Sequence, residues 1–158
     1  MTQTGLPQVT TASDLEDRLV RFGAAICRCI NRLPTTRLGL HITSQLLRSA
    51  TSPAANYAEA RAGESQRDFT HKLKLCLKEL RETLVWLKLI QELHILRDEQ
   101  FHKALKEADE LVALFVCSVR TLEQRAATTL HKSGIKNQES RMSKHPHRAG
   151  STSLNASP

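Results

Sequence analysis

The stretch RDFTHKLKLCLKELRETLVWLKLIQEL, Arg67 to Leu93, reads as one long helix with three distinct stripes. At about 100° per residue, Phe69, Leu73, Leu77, Leu80, Leu84 and Leu87 share one face. Leu75, Trp86, Leu89 and Leu93 form a second apolar strip well around the helix from the first. Arg67, His71, Lys74, Lys78, Arg81 and Lys88 make a basic stripe between the two. A helix in a simple monomeric bundle needs only one apolar stripe. The second therefore predicts another buried surface, with Leu75, Trp86, Leu89 and Leu93 at an interface between copies of the chain. The basic stripe predicts an acidic partner.

Working outward, the same periodicity recurs three more times. Residues 1–12 show no period and read as a flexible lead. Ser13, with Glu16 three residues on, forms a capping box for a first helix that runs to about Leu33. Its inward face is Leu15, Leu19, Phe22, Ile26, Ile30 and Leu33, and Pro34 ends it. A second helix, capped by Thr35 or Thr36, covers roughly Thr36 to Ala60, with Leu38, Ile42, Leu46, Ser49 and Pro53 on one side. An interior proline removes a hydrogen bond, so a kink near Ser49 to Pro53, or two shorter helices, is expected. Asn56 falls on the inward side and is expected to bond across helices. A polar turn, Arg61 to Gln66, contains Gly63. After a short connection near Leu96 to Asp98, a fourth helix carries Phe101, Leu105, Ala108, Val112, Phe115, Val119 and Leu122 and fades at about Ala126. From His131 the period stops, and residues 132–158 read as a disordered basic tail. Four helices with short connections over residues 13–131 predict an all-α, antiparallel up-down-up-down four-helix bundle.

The bulk composition agrees with one domain: 158 residues, 40% hydrophobic, with six glycines and five prolines. The formal net charge is +7. The tail holds five Lys or Arg against the single acid Glu139 and so supplies +4, which leaves +3 for the body. Such a balance favours RNA, DNA or an anionic surface as partner. Four cysteines, Cys27, Cys29, Cys76 and Cys117, lack metal-ligand spacing and read as reduced thiols in helices, the last three at or near apolar faces. No secretory leader and no run of about 20 apolar residues is present, which makes the cytoplasm the expected compartment and excludes a membrane span.

Catalytic and metal chemistry find little purchase. The lone Glu-x-x-His, Glu99 to His102, lacks the second pair and the inward glutamates that a di-metal bundle requires. His41, His71, His94, His131, His145 and His147 make no metal spacing. No glycine-flanked nucleophile, phosphate loop or dinucleotide fingerprint occurs. The expectation is a non-enzyme with no cofactor and no metal. The four phenylalanines are core residues by position, so nucleic-acid binding, if backbone-led, would be salt-sensitive and weakly sequence-specific.

Two segments carry a resemblance. Gln45-Leu-Leu-Arg-Ser-Ala-Thr-Ser-Pro-Ala-Ala-Asn-Tyr-Ala-Glu59, followed by Glu64-Ser-Gln-Arg-Asp-Phe69, is one. His71-Lys-Leu-Lys-Leu-Cys-Leu-Lys-Glu-Leu-Arg-Glu-Thr-Leu-Val-Trp-Leu87 is the other. Over about Asp14 to Leu122 the chain resembles the four-helix bundle proteins encoded by 23S rRNA intervening sequences. Where the family often has glycine after the glutamate, this chain has Ala60, and its turn moves to around Gly63. The resemblance implies a bundle that assembles as a ring-like homo-oligomer, typically a homopentamer, and a similarity to the accessory variability protein of diversity-generating retroelements, a bundle that binds nucleic acid and a reverse transcriptase. It implies no catalytic residue.

Together these readings predict an oligomeric scaffold that binds RNA or DNA through phosphate contacts. The residues expected at phosphate are Arg48, Arg61, Arg67, Lys74, Lys78, Arg81 and Lys88; the first two enter because the turn between the second and third helices brings them near the stripe. The alternative is a protein-only accessory module whose basic face meets an acidic partner such as a reverse transcriptase or other polymerase.

Overall fold

The computed structural model describes residues 12–143, with side chains through Thr129. The expected flexible lead therefore falls almost wholly outside the described residues. Four helices account for the regular structure: α1 (Ala12–Ile30), α2 (Arg37–Ala62), α3 (Gln66–Glu92) and α4 (Glu99–Ser143). There is no strand among the described residues.

Each helix forms where an apolar stripe at 3.6-residue spacing has something to pack against. In α1, Leu19, Phe22, Ile26 and Ile30 are buried, Leu33 is buried in the following turn, and Leu15 is half-buried. The helix begins at Ala12, so Ser13 stands inside its first turn rather than at its cap. It unwinds through tight bonds from Arg32 N to Cys29 O (3.1 Å) and Leu33 N to Ile30 O (3.0 Å), just before Pro34 makes continuation impossible. Thr36 is the N-cap of α2, and its hydroxyl accepts a hydrogen bond from Gly39 N at 3.2 Å. Gly39 is buried there with no side chain to place; a Cβ would overlap the Pro34 carbonyl oxygen.

Helix α2 runs unbroken through Pro53, so of the two expected outcomes it is not two shorter helices; it differs from expectation at two other points. The proline ring is buried, and just ahead of it the Thr51 and Ser52 hydroxyls donate to Leu47 O (2.6 Å) and Arg48 O (2.7 Å), each bonding back to the carbonyl four residues earlier. Leu38 is 47% exposed instead of facing inward, because it belongs to the first turn at the end of the helix. Asn56 does not bridge helices: its amide donates to Ser52 O, four residues back, at 3.1 Å.

The turn into α3 is short. Gly63 caps α2, and Ser65 caps α3 by accepting from Asp68 N at 3.1 Å. At the other end, His94 N reaches Gln91 O (3.0 Å) and Ile95 N reaches Ile90 O (3.1 Å), the paired bonds of a Schellman turn. That turn demands a left-handed residue, and here it is His94, at φ 56°. Asp98 then caps α4, its Oδ1 accepting from Phe101 N at 3.1 Å. Phe101, Ala108, Leu111, Phe115 and Val119 bury the α4 stripe. The helix continues to Ser143, well past the Ala126 at which the apolar pattern fades and into the segment expected to be a disordered tail. Residues 144–158 lie outside the described residues. Glu123 onward forms a unit separate from the bundle.

Neighbouring helices run in opposite senses. Arg61 on α2 meets Glu16 on α1, while Gly23 lies against Ala50, with a built Cβ 3.2 Å from the Ala50 carbonyl oxygen. From one end of the α2/α3 seam to the other, Glu59 meets Lys72, Pro53 O meets Cys76 Sγ (3.4 Å), Ser49 meets Thr83 (2.9 Å), and His41 meets Trp86 (ring centroids 5.5 Å). On α1 and α4, Arg18 meets Glu107 and Arg32 meets Asp98. Across the core, Tyr57 and Phe115 pack edge to face at 6.1 Å. This is the expected antiparallel four-helix bundle. Among the described residues no helix is long and apolar enough to cross a membrane.

Candidate nucleic-acid interface

The inward face of α3 carries Leu73, Cys76, Leu77, Leu80, Thr83, Leu84, Leu87 and Ile90, all buried. Half a turn away the helix meets solvent. Arg67, His71, Lys74, Lys78, Arg81 and Lys88 are all exposed there. Arg67, Lys74, Arg81 and Lys88 recur at seven-residue steps, so they form one gently winding row, about 10 Å per step and about 30 Å in all. His71 and Lys78 flank it. Val85, 63% exposed, sits within the same face.

Two acids of the same helix are turned away from this row. Glu79 and Glu82 point sideways toward α2, where Arg48 takes both: Glu79 at 3.4 Å and Glu82 in a closer ion pair. Glu79 is buried, so its charge needs that partner. Arg67, Lys78, Arg81 and Lys88 make no ion pair among the described residues. The result is a net positive row, interrupted by Glu92, which is exposed on the same face four residues beyond Lys88.

Two residues expected at phosphate are committed elsewhere. Arg48 holds the two glutamates of α3, and Arg61 turns toward α1 to pair with Glu16. Nearness to the turn in sequence did not translate into a shared face, because each guanidinium is drawn to the carboxylate across its own helix seam. The remaining five, Arg67, Lys74, Lys78, Arg81 and Lys88, share the outer face of α3.

The second apolar strip lies between this basic row and the α2 seam. Leu75, Trp86 and Leu89 are half-buried; Trp86 and Leu89 pack against the core of their own chain, with the Trp86 ring set edge-on to His41 at 76°. Leu93, at the C-cap, is 45% exposed.

Metal chemistry finds no centre among the described residues. Glu99 pairs with Lys103 at 2.6 Å, and His102 Nδ1 lies 2.8 Å from the Asp98 carbonyl oxygen, so the lone Glu-x-x-His is spent on the helix start. The cysteines are free: Cys29 and Cys76 are buried, Cys27 is half-buried, and Cys117 is exposed beside an apolar hollow that it lines with Leu15, Phe69 and Leu122.

The chain is similar to a protein of unknown function from the S23 ribosomal protein family of Bacteroides thetaiotaomicron, whose crystal structure superposes with a TM-score of 0.62 at 28% identity. The match covers 69% of this chain and 97% of that one. No curated protein matches. The family profile described as 23S rRNA-intervening sequence protein matches residues 15–116, from the first turn of α1 into α4, and the chain belongs to that family.

Proposed function

We propose that this protein is a non-enzymatic cytoplasmic scaffold that associates with copies of itself, as a ring, and holds structured RNA or DNA by phosphate contacts along the outer face of α3. The observation that carries this reading is the outward row Arg67, Lys74, Lys78, Arg81 and Lys88 on α3, net positive with Glu79 and Glu82 turned toward Arg48 and Glu92 on the same face. A row of flexible cations without surrounding aromatic rings or a shaped cleft suits a repeating phosphate backbone and carries no base code. Self-association draws on the strip that ends in Leu93.

Filter binding of a structured RNA across a salt series tests the nucleic-acid part. The Lys74→Ala/Lys78→Ala/Arg81→Ala protein should bind more weakly and show a log–log salt slope flatter by about two to three, since each lost phosphate contact removes about 0.7 to 0.9 of a counterion. Affinity indifferent to both salt and the triple change overturns it. Native mass spectrometry tests assembly: a lone subunit at micromolar concentration defeats the ring.

A further inference from the structure

Between α1 and α4 lies a groove of about 380 Å³. Ala25 on α1 and Ala104 on α4 both line it, and their single methyl groups fill little of the space between the helices. Buried Phe22 closes the floor. At one end Arg18 clamps the helices together through Glu107 (2.6 and 3.0 Å) and Glu110 (2.9 Å). Toward the other, Arg32 holds Asp98 and Gln100. The two arginines are fourteen residues apart, Arg18 inside α1 and Arg32 two residues past its end. Between them the lips carry Arg21 and Arg28, exposed and without an ion pair among the described residues, and Lys103, whose pairing with Glu99 lies in open solvent.

We infer that this groove docks an amphipathic helix of another protein, one with bulky apolar side chains flanked by Asp or Glu. The apolar floor is what separates it from the α3 face: phosphate gains nothing from Phe22 and the two alanines, and no exposed ring is present for a base to stack on. Cationic lips around an apolar slot match an acidic helix whose leucines or phenylalanines enter the slot while its carboxylates meet Arg21, Arg28 and Lys103. Residues 1–11 and 144–158 contain no Asp or Glu, so neither supplies the carboxylates that the lips would meet. This site is independent of the α3 reading, so either stands if the other falls.

The probe is a fluorescein-labelled 16-residue helix with leucines at i, i+3, i+4 and i+7 and glutamates beside them, followed by anisotropy on the full chain. Arg21→Glu/Arg28→Glu should weaken binding by about tenfold or more, and Ala25→Leu, which fills the slot, should do the same at unchanged charge. Lys78→Glu/Arg81→Glu on α3 should leave the affinity within about twofold. Thermal melts confirm that each variant is folded; if Ala25→Leu melts early, Ala25→Ser, which leaves the slot open, should bind like the parent. Equal losses from the α1 and α3 reversals would mean unspecific charge attraction and overturn the proposal. So would full binding by folded Ala25→Leu, or equal binding of a peptide with lysine in place of each glutamate.

Discussion

The hydroxyls of Ser49 and Thr83 meet at 2.9 Å in the middle of the α2/α3 seam, both fully buried, with the Glu79 carbonyl oxygen 3.0 Å from Thr83 Oγ1. The pair is a short polar chain inside an apolar surround, and each member satisfies the other. Removing one leaves a buried hydroxyl with a lost partner, which costs about 1–3 kcal/mol. Thr83→Val and Ser49→Ala should each destabilise by that order, while the double variant should lose less than the sum of the two. A urea-denaturation cycle checks this, and strict additivity would mean that the two hydroxyls do not interact.

The Schellman turn at the end of α3 predicts a gain. His94 holds φ 56°, a left-handed conformation that a side-chain-bearing residue adopts at a cost of about 1 kcal/mol. His94→Gly should relieve that cost, less the extra freedom glycine has in the unfolded chain, for a net gain of about 0.5 kcal/mol. His94→Ala, which keeps the Cβ, should gain nothing. Thermal melts of the two variants side by side decide the point, and a glycine variant no more stable than the parent refutes it.

These two sites show what the sequence could and could not disclose. The helices themselves were legible, since Leu73, Leu77, Leu80, Leu84 and Leu87 keep a strict period that only a helix turns into one face. The outward placement of Arg67, Lys74, Lys78, Arg81 and Lys88 followed from the same arithmetic. The partners of Arg48 and Arg61 did not, because periodicity says which side of a helix a residue occupies and nothing of which neighbour packs there. His94 escaped notice since a helix stop is usually signalled by glycine. The full length of α4 is hidden for a related reason: its apolar stripe ends near Leu122, and helix beyond a stripe has no periodic signature. The α1/α4 groove is lined from both helices, Ala25 on one and Ala104 on the other, a combination that neither pattern contains alone.

Asp98 gives a pH test with a definite sign. Desolvation pushes its carboxyl up, but the hydrogen bond from Phe101 N and the pairing with Arg32 outweigh that and hold it below the ordinary value. A carboxyl depressed in the folded state contributes stability above its unfolded pKa and loses it as pH falls through the folded one. Asp98→Asn keeps a capping side chain but gives up the charge. The variant should therefore melt below the parent by a constant margin from pH 7 down to about 5, and the margin should shrink below pH 4. A margin unchanged down to pH 2.5 would place its origin outside this ionisation.

The cysteines divide by burial, and thiol labelling should read that division directly. Desolvation drives the Cys76 thiol up to about 12. At neutral pH about one molecule in 10⁵ then carries the reactive thiolate, besides being enclosed. Cys29 is likewise buried and raised by desolvation. Cys117 is exposed and Cys27 half-buried. Native protein treated with a disulfide reagent should release one equivalent quickly, a second slowly, and the last two only at the rate of global opening. Cys117→Ser should remove the fast phase alone. Rapid native modification of Cys76, mapped by mass spectrometry, would mean that the α2/α3 seam opens without the rest of the bundle.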